Sequence, residues 1–392
     1  MKSKLGNLLS GLAMFAAASA LATAAVAAEG DYAGSKACQK CHDAEYETWK
    51  NSYHSKMIRP KDEAILKDVV EQWANGGPTK VNLTGAPAKL EDVVYVVGSK
   101  WKQRFLVKNP ATGGHLFLDK QWNTLHKKWE NYGQKNDWDT NCTTCHATGF
   151  RLTAYDAKAP QEQKWAMAEM NIGCEACHGP AADHAKNRGK KPVFVFKGKT
   201  VEEQTRVCGY CHIRGDNHQF KTAQGNSSEG LPHPEVGKTW HPSEDWTKWY
   251  PEGVIIPGVQ PEDKVDAAYE GDLKGMFKTD EQSKKTGIYD AAKHHQQYQE
   301  FLQSPHYKAK DASKRMSCSS CHMSHATDAK PKVSDPKETC VKCHDATYTV
   351  DKYMPGVPTT AGNNHIRTHT FNKDQARPPG PRVTTEPVYY KK

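Results

Sequence analysis

The chain has 392 residues, a net charge of +9, 37% apolar residues and a mean hydropathy of −0.82. That polarity excludes a bundle of membrane helices. It also leaves too little apolar side chain for an ordinary core of this length, unless another hydrophobic body fills the interior.

In chain order, Lys2 and Lys4 open a short basic region, and an Ala-rich apolar run follows to Val26, with small residues up to Ala28. Residues 1–28 therefore read as a secretory signal peptide, so an exported, periplasmic or extracellular destination is expected. Val93–Val97, Arg104–Lys108 and His115–Asp119 alternate as strands around Asn109-Pro110 and Gly113-Gly114, predicting a small hairpin or meander near 93–119. Trp122 to Tyr132 is expected to be a short helix. Residues 221–288 are rich in Gly, Pro and Trp and read as an irregular connection. A helix is predicted from Asp290, as N-cap, to Gln303, stopping before Pro305. The tail from Pro378 onward should be extended and surface-lying.

The chemistry lies in the cysteines. All 12 fall in six Cys-x-x-Cys-His units: Cys38/Cys41/His42, Cys142/Cys145/His146, Cys174/Cys177/His178, Cys208/Cys211/His212, Cys318/Cys321/His322 and Cys340/Cys343/His344. This is the attachment signature of c-type haem, in which two thiols bond the porphyrin and the adjacent His binds iron. Zinc sites, redox dithiols and disulfide frameworks also use paired cysteines, but none requires a His after every pair. Six covalently bound haem c groups are expected, and their porphyrin faces are the hydrophobic bodies missing from the composition. Their propionates also balance most of the basic excess, so nucleic acid is not an expected partner. The motif spacing divides the mature chain into a four-haem module (29–220), the irregular connection (221–288) and a two-haem C-terminal module with its tail (289–392). The expected fold is mainly α with much irregular chain, packed around haems.

Around the first motif the run Asp31-Tyr32 to Cys38, then Tyr46, Trp49, Ser52 and His54, resembles the opening of the cytochrome c-554 family. The resemblance continues at His146-Ala-Thr-Gly149-Phe150, at Cys174 through Gly179-Pro180 to His184, and from His294 to His306. It implies a multihaem cytochrome of a respiratory chain, and the two extra motifs here depart from the family's four-haem form. It also points to His54, His184 and His306 as second axial ligands, and to His295 over His294 through the run His-Gln-Gln-Tyr. Position alone adds His325, three residues after His322, and His369. His325 is expected to serve a haem other than that of its own motif, because three residues cannot carry it round the porphyrin edge. His126, on the expected Trp122 helix, stands in reserve; His115, His218, His233 and His241 read as structural, and Met316 and Met323 as packing residues.

With 19 His for six irons, supply suffices for bis-His ligation throughout. The leading expectation is an electron carrier without a catalytic residue, exchanging electrons with other redox proteins such as donor and acceptor cytochromes. The alternative is a reductase or oxidase of a small nitrogen or sulfur compound at one five-coordinate haem. Self-assembly, or a place in an outer-membrane conduit, is a third reading.

Overall fold

A computed structural model describes residues 31–215, 217–250, 254, 256–257, 276–278, 280–323, 325, 336–358, 365–372 and 388–390. The expected signal peptide, most of the Pro-rich tail and much of the expected connection lie outside these residues.

The largest regular element is a six-stranded antiparallel sheet, more extensive than the hairpin the sequence suggests. It comprises β1 (Ile58–Pro60), β2 (Val93–Val97), β3 (Lys102–Lys108), β4 (His115–Phe117), β5 (Lys120–Asn123) and β6 (Lys128–Asn131), ordered β1-β2-β3-β5-β6 with β4 also on β3. The β-branched run of β2 is suited to a pleated surface. Gly98 ends it at φ +89°, where a Cβ would meet the Lys102 carbonyl oxygen at 2.3 Å, so the turn into β3 requires glycine.

The expected helix over 122–132 is instead the β5–β6 hairpin. Trp122 pairs with Trp129 across it, their rings 5.1 Å apart, and Trp129 also meets Trp73 and Phe105. Two indoles on one sheet face bury more surface than a short helix would offer. Lys127 supplies the left-handed turn residue at φ 47°, and His126 lies in the turn.

Helices are short; the longest described is Val201–Gly209, nine residues, started by a Thr200–Glu203 capping box. The helix predicted over 290–303 reduces to Gln297–Phe301. Asp290 is no N-cap: it is buried and accepts hydrogen bonds from Thr368 (2.7 Å) and Thr370 (2.9 Å). His295, at φ 66°, breaks the helical path just upstream.

The described residues of the expected connection contribute to the core. Trp240, Trp246, Tyr250, Val254 and Ile256 pack with Phe194, Val207, Tyr210, Tyr298 and Leu302. One hydrophobic cluster thus draws on all three sequence segments. Near the C-terminus, Tyr389 pairs with Leu66 and packs on the sheet core.

Candidate cofactor sites

Each motif sits on a single helical turn, which brings both cysteines and the His to one side. In all six the His N–H bonds the carbonyl of the first cysteine at 2.9–3.1 Å, and the turn adjoins or overlaps a short helix: Ser35–Cys38, Thr143–His146, Glu175–His178, Val201–Gly209, Cys318–Cys321 or Pro336–Cys340. Tertiary hydrogen bonds fix these turns. The Glu175 carboxylate accepts the backbone N–H groups of Ala33, Gly34 and Ala181 at 2.7–2.8 Å, binding the N-terminal segment to the third motif. Ser35 adds a bond from the Cys174 N–H, and the Trp49 indole donates to the Ile172 carbonyl. The second motif is carried by the sheet: His115 pairs with Asp139 at 3.0 Å, and Trp138 packs on Phe117. His115, read as structural, has that role. The fourth motif is clamped by Gln297–Phe301, where Gln299 accepts from the Arg214 N–H and donates to its carbonyl, both at 2.9 Å.

Thiols of different motifs are close neighbours. Cys38 lies beside Cys174, Cys145 beside Cys211, Cys177 near Cys208, Cys208 beside Cys318, and Cys321 near Cys340. In space the motifs therefore run first, third, fourth, fifth, sixth, with the second beside the fourth. Only Cys41 and Cys343, in the first and sixth motifs, are exposed.

The motif histidines face other histidines. A metal–imidazole bond of about 2 Å on each side of an iron, with about 1 Å more to each ring centre, puts two axial imidazoles roughly 6 Å apart. The ring centres of His42 and His184 are 6.2 Å apart, His178 and His325 6.2 Å, His322 and His369 6.0 Å, and His344 and His306 6.1 Å. His212 faces His54 at 6.3 Å and also His295 at 6.2 Å, while His146 faces His295 at 5.8 Å. All six second histidines read from the sequence thus stand opposite motif histidines. His294 does not: its Nε2 accepts from Arg214 at 2.9 Å.

Protonation suits the same role. Nδ1 of His178 bonds the Phe194 carbonyl, that of His184 the Lys191 carbonyl, that of His212 the Gln297 side chain and that of His369 the Arg367 carbonyl. A proton held on Nδ1 leaves the Nε2 lone pair for a metal. Burial lowers His54 and His146 to about 4 and His369 to about 3, keeping them neutral. Beside His146, the cations Arg104 and Arg214 push the same way. Nδ1 of His146 and of His306 is buried with no hydrogen-bond partner among the described residues. Among the described residues, no three or more His, Cys, Asp or Glu side chains gather to hold a bare metal ion. The donor set fits haem better than zinc.

Sequence reasoning missed Arg214, Gln297 and the carbonyls of Lys191 and Phe194. Nothing local to those residues marks them, since each acts on a histidine brought near by the fold. His126, held in reserve, faces no motif histidine, and the side chain of His218 lies outside the described residues. His233 and His241 make local bonds, to the Glu235 N–H and to Ser243.

The model of the family "Cytochrome c554 and c-prime" matches residues 37–77, 116–179 and 291–365. Cytochrome c-554 of Nitrosomonas europaea is 21% identical over 266 residues, covering 64% of this chain and 84% of that protein. The crystal structure of the outer cell wall cytochrome OcwA superposes with a TM-score of 0.61 at 22% identity, over 87% of this chain and 79% of that one. The fold is therefore that of multihaem cytochromes, and no described helix is long and apolar enough to cross a membrane. With its repeated Cys-x-x-Cys-His units, the chain is a cytochrome c-554-like multihaem c-type cytochrome.

Proposed function

We propose that the chain carries six covalently bound haem c groups with bis-His ligation and transfers electrons between other redox proteins outside the cytoplasm. The supporting observation is the set of facing imidazoles, in which every motif histidine has another histidine at axial separation. Bound haem would supply reversible one-electron exchange at iron. The twelve cysteines would anchor the groups, and His42, His146, His178, His212, His322 and His344 would bind on the proximal side. His184, His295, His325, His54, His369 and His306 would close the distal sides, in the same order. His295 is assigned to His146 because His54 already faces His212. The unbroken run of neighbouring motifs, whose exposed cysteines are those of the first and sixth, supports passage along the molecule. An exported location agrees with the apparent signal peptide and with the outer cell wall placement named for OcwA.

A second reading, reduction or oxidation of a small nitrogen or sulfur compound, draws on one observation. His295 stands between His146 and His212, so a shift toward His212 would open the position opposite His146. Carbon monoxide added to the reduced holoprotein decides between them. A Soret band left nearly unchanged supports the carrier. Strong binding at one site, with turnover of nitrite, hydroxylamine or sulfite, supports the enzyme.

A further inference from the structure

Between Asp183 and Lys199 the chain places six cations, Lys186, Arg188, Lys190, Lys191, Lys197 and Lys199, against the single carboxylate of Asp183. Beyond His184 the segment lies outside the resemblance and between two stretches that the family model matches, 116–179 and 291–365. Lys199 pairs with Glu203. The other five are exposed and meet no carboxylate among the described residues. A charge run of this kind is ordinarily just a solvated surface, but here the backbone beneath it is built into two cofactor sites. The Lys191 carbonyl accepts from Nδ1 of His184, which faces His42, and the Phe194 carbonyl accepts from Nδ1 of His178, each at 2.7 Å. The Gly189 N–H returns to the His184 carbonyl at 2.9 Å, and Arg188 and Gly189 take left-handed conformations at φ 50° and 81° to close the loop. The loop is thus a shaped clasp tied to the histidine sites of the first and third motifs, with five of its cations exposed. Around the exposed Cys343 charges are mixed: Glu338, Asp345 and Asp351 stand with Lys342 and Lys352.

We propose that the loop 184–199 is the docking surface for a redox protein with an acidic face, and that electrons cross to or from that protein at the first motif. The proposal rests on the electron-carrying reading above. A patch of one sign raises the encounter rate with an oppositely charged partner and orients it, an effect that salt screens. The crossing moves one electron between partner and chain; no bond forms or breaks.

The test uses the haem-loaded full chain and two donors in stopped flow: an acidic plant-type ferredoxin, reduced beforehand, and photoreduced neutral lumiflavin. Ferredoxin should reduce the parent at a rate that falls steeply with salt. The variant K186Q/R188Q/K190Q/K197Q should react about tenfold more slowly at low salt and lose most of that dependence. Its lumiflavin rate should match the parent's, and K80Q/K89Q/K127Q/K128Q, on the sheet side, should behave as the parent does with ferredoxin. An unchanged ferredoxin rate in the loop variant, or an equal loss in the sheet-side variant, overturns the proposal. So does sedimentation of the parent, but not of the loop variant, with phosphatidylglycerol vesicles while their ferredoxin rates agree, which would assign the loop to a membrane surface. Failure of both donors to reduce the parent would count against electron carrying itself.

Discussion

The imidazoles of His178 and His325 stand 6.2 Å apart, centre to centre, with their planes tilted by 36°. His325 belongs to the segment just after the fifth motif, yet it faces the third. Changing His325→Ala should leave every haem attached while one, that of Cys174 and Cys177, turns high-spin and rises in potential. Low-temperature EPR with a redox titration reads both effects. Spectra and potentials identical to the parent's would mean that His325 binds no iron.

Adjacent histidines in the sequence should behave oppositely. Arg214 occupies Nε2 of His294, whereas the His295 ring faces His146. His295→Ala should therefore add one high-spin signal and a carbon monoxide site. His294→Ala should keep the parent's EPR while losing the Arg214 hydrogen bond and the edge contact with the His295 ring, about 2 kcal/mol of stability. A high-spin signal in the His294 variant instead would reverse the assignment.

Haem stoichiometry follows from the cysteine count. Intact mass of the mature protein, after removal of non-covalent material, should show six haem additions and a chain beginning near Ala28 or Glu29. Five or fewer additions in fully matured material would contradict the proposal.

Glu175 ties the first motif to the third. Glu175→Ala strips an acceptor from three backbone N–H groups and should cost about 3 kcal/mol, read from denaturant midpoints. Burial raises this carboxyl above its usual range, although its three backbone donors pull it partly back. With the folded value above the unfolded one, the proton-linked stability is complete below the ordinary carboxylate range. It is lost as pH rises through the raised value. Glu175→Gln should cost less than the alanine change and flatten that fall; an unaltered pH dependence in the Gln variant would remove Glu175 as its source.

The attachment motifs stand out in the sequence because covalent haem chemistry requires Cys, Cys and His at one fixed local spacing. The second histidines were legible only as candidates, since nothing near His325 or His369 states which motif each will face. Short elements were misread where tertiary contacts outweighed local pattern. Lys127 adopts a left-handed turn that Gly or Asn would have announced, so the β5–β6 hairpin looked like an amphipathic helix. Asp290 resembles an N-cap, but Thr368 and Thr370 claim its carboxylate from far along the chain. The core cluster running from Phe194 to Leu302 joins residues of all three segments, a contact that composition does not announce.

The facing pairs also bear on biogenesis. His42, His146, His178 and His322 are each opposed by a histidine that lies further along the chain, namely His184, His295, His325 and His369. If the chain is exported N-terminus first, as proposed above, the motif would emerge before its counterpart, and these sites would stay half-built while translocation continues. Closing such long loops is entropically costly and comes late in folding. The interval would leave the thiols of the early motifs accessible for haem attachment before compaction hides them. A truncation product ending after the fourth motif would keep the eight cysteines of its four motifs but lack His295 and His325, leaving the second and third motifs without the imidazoles that face them.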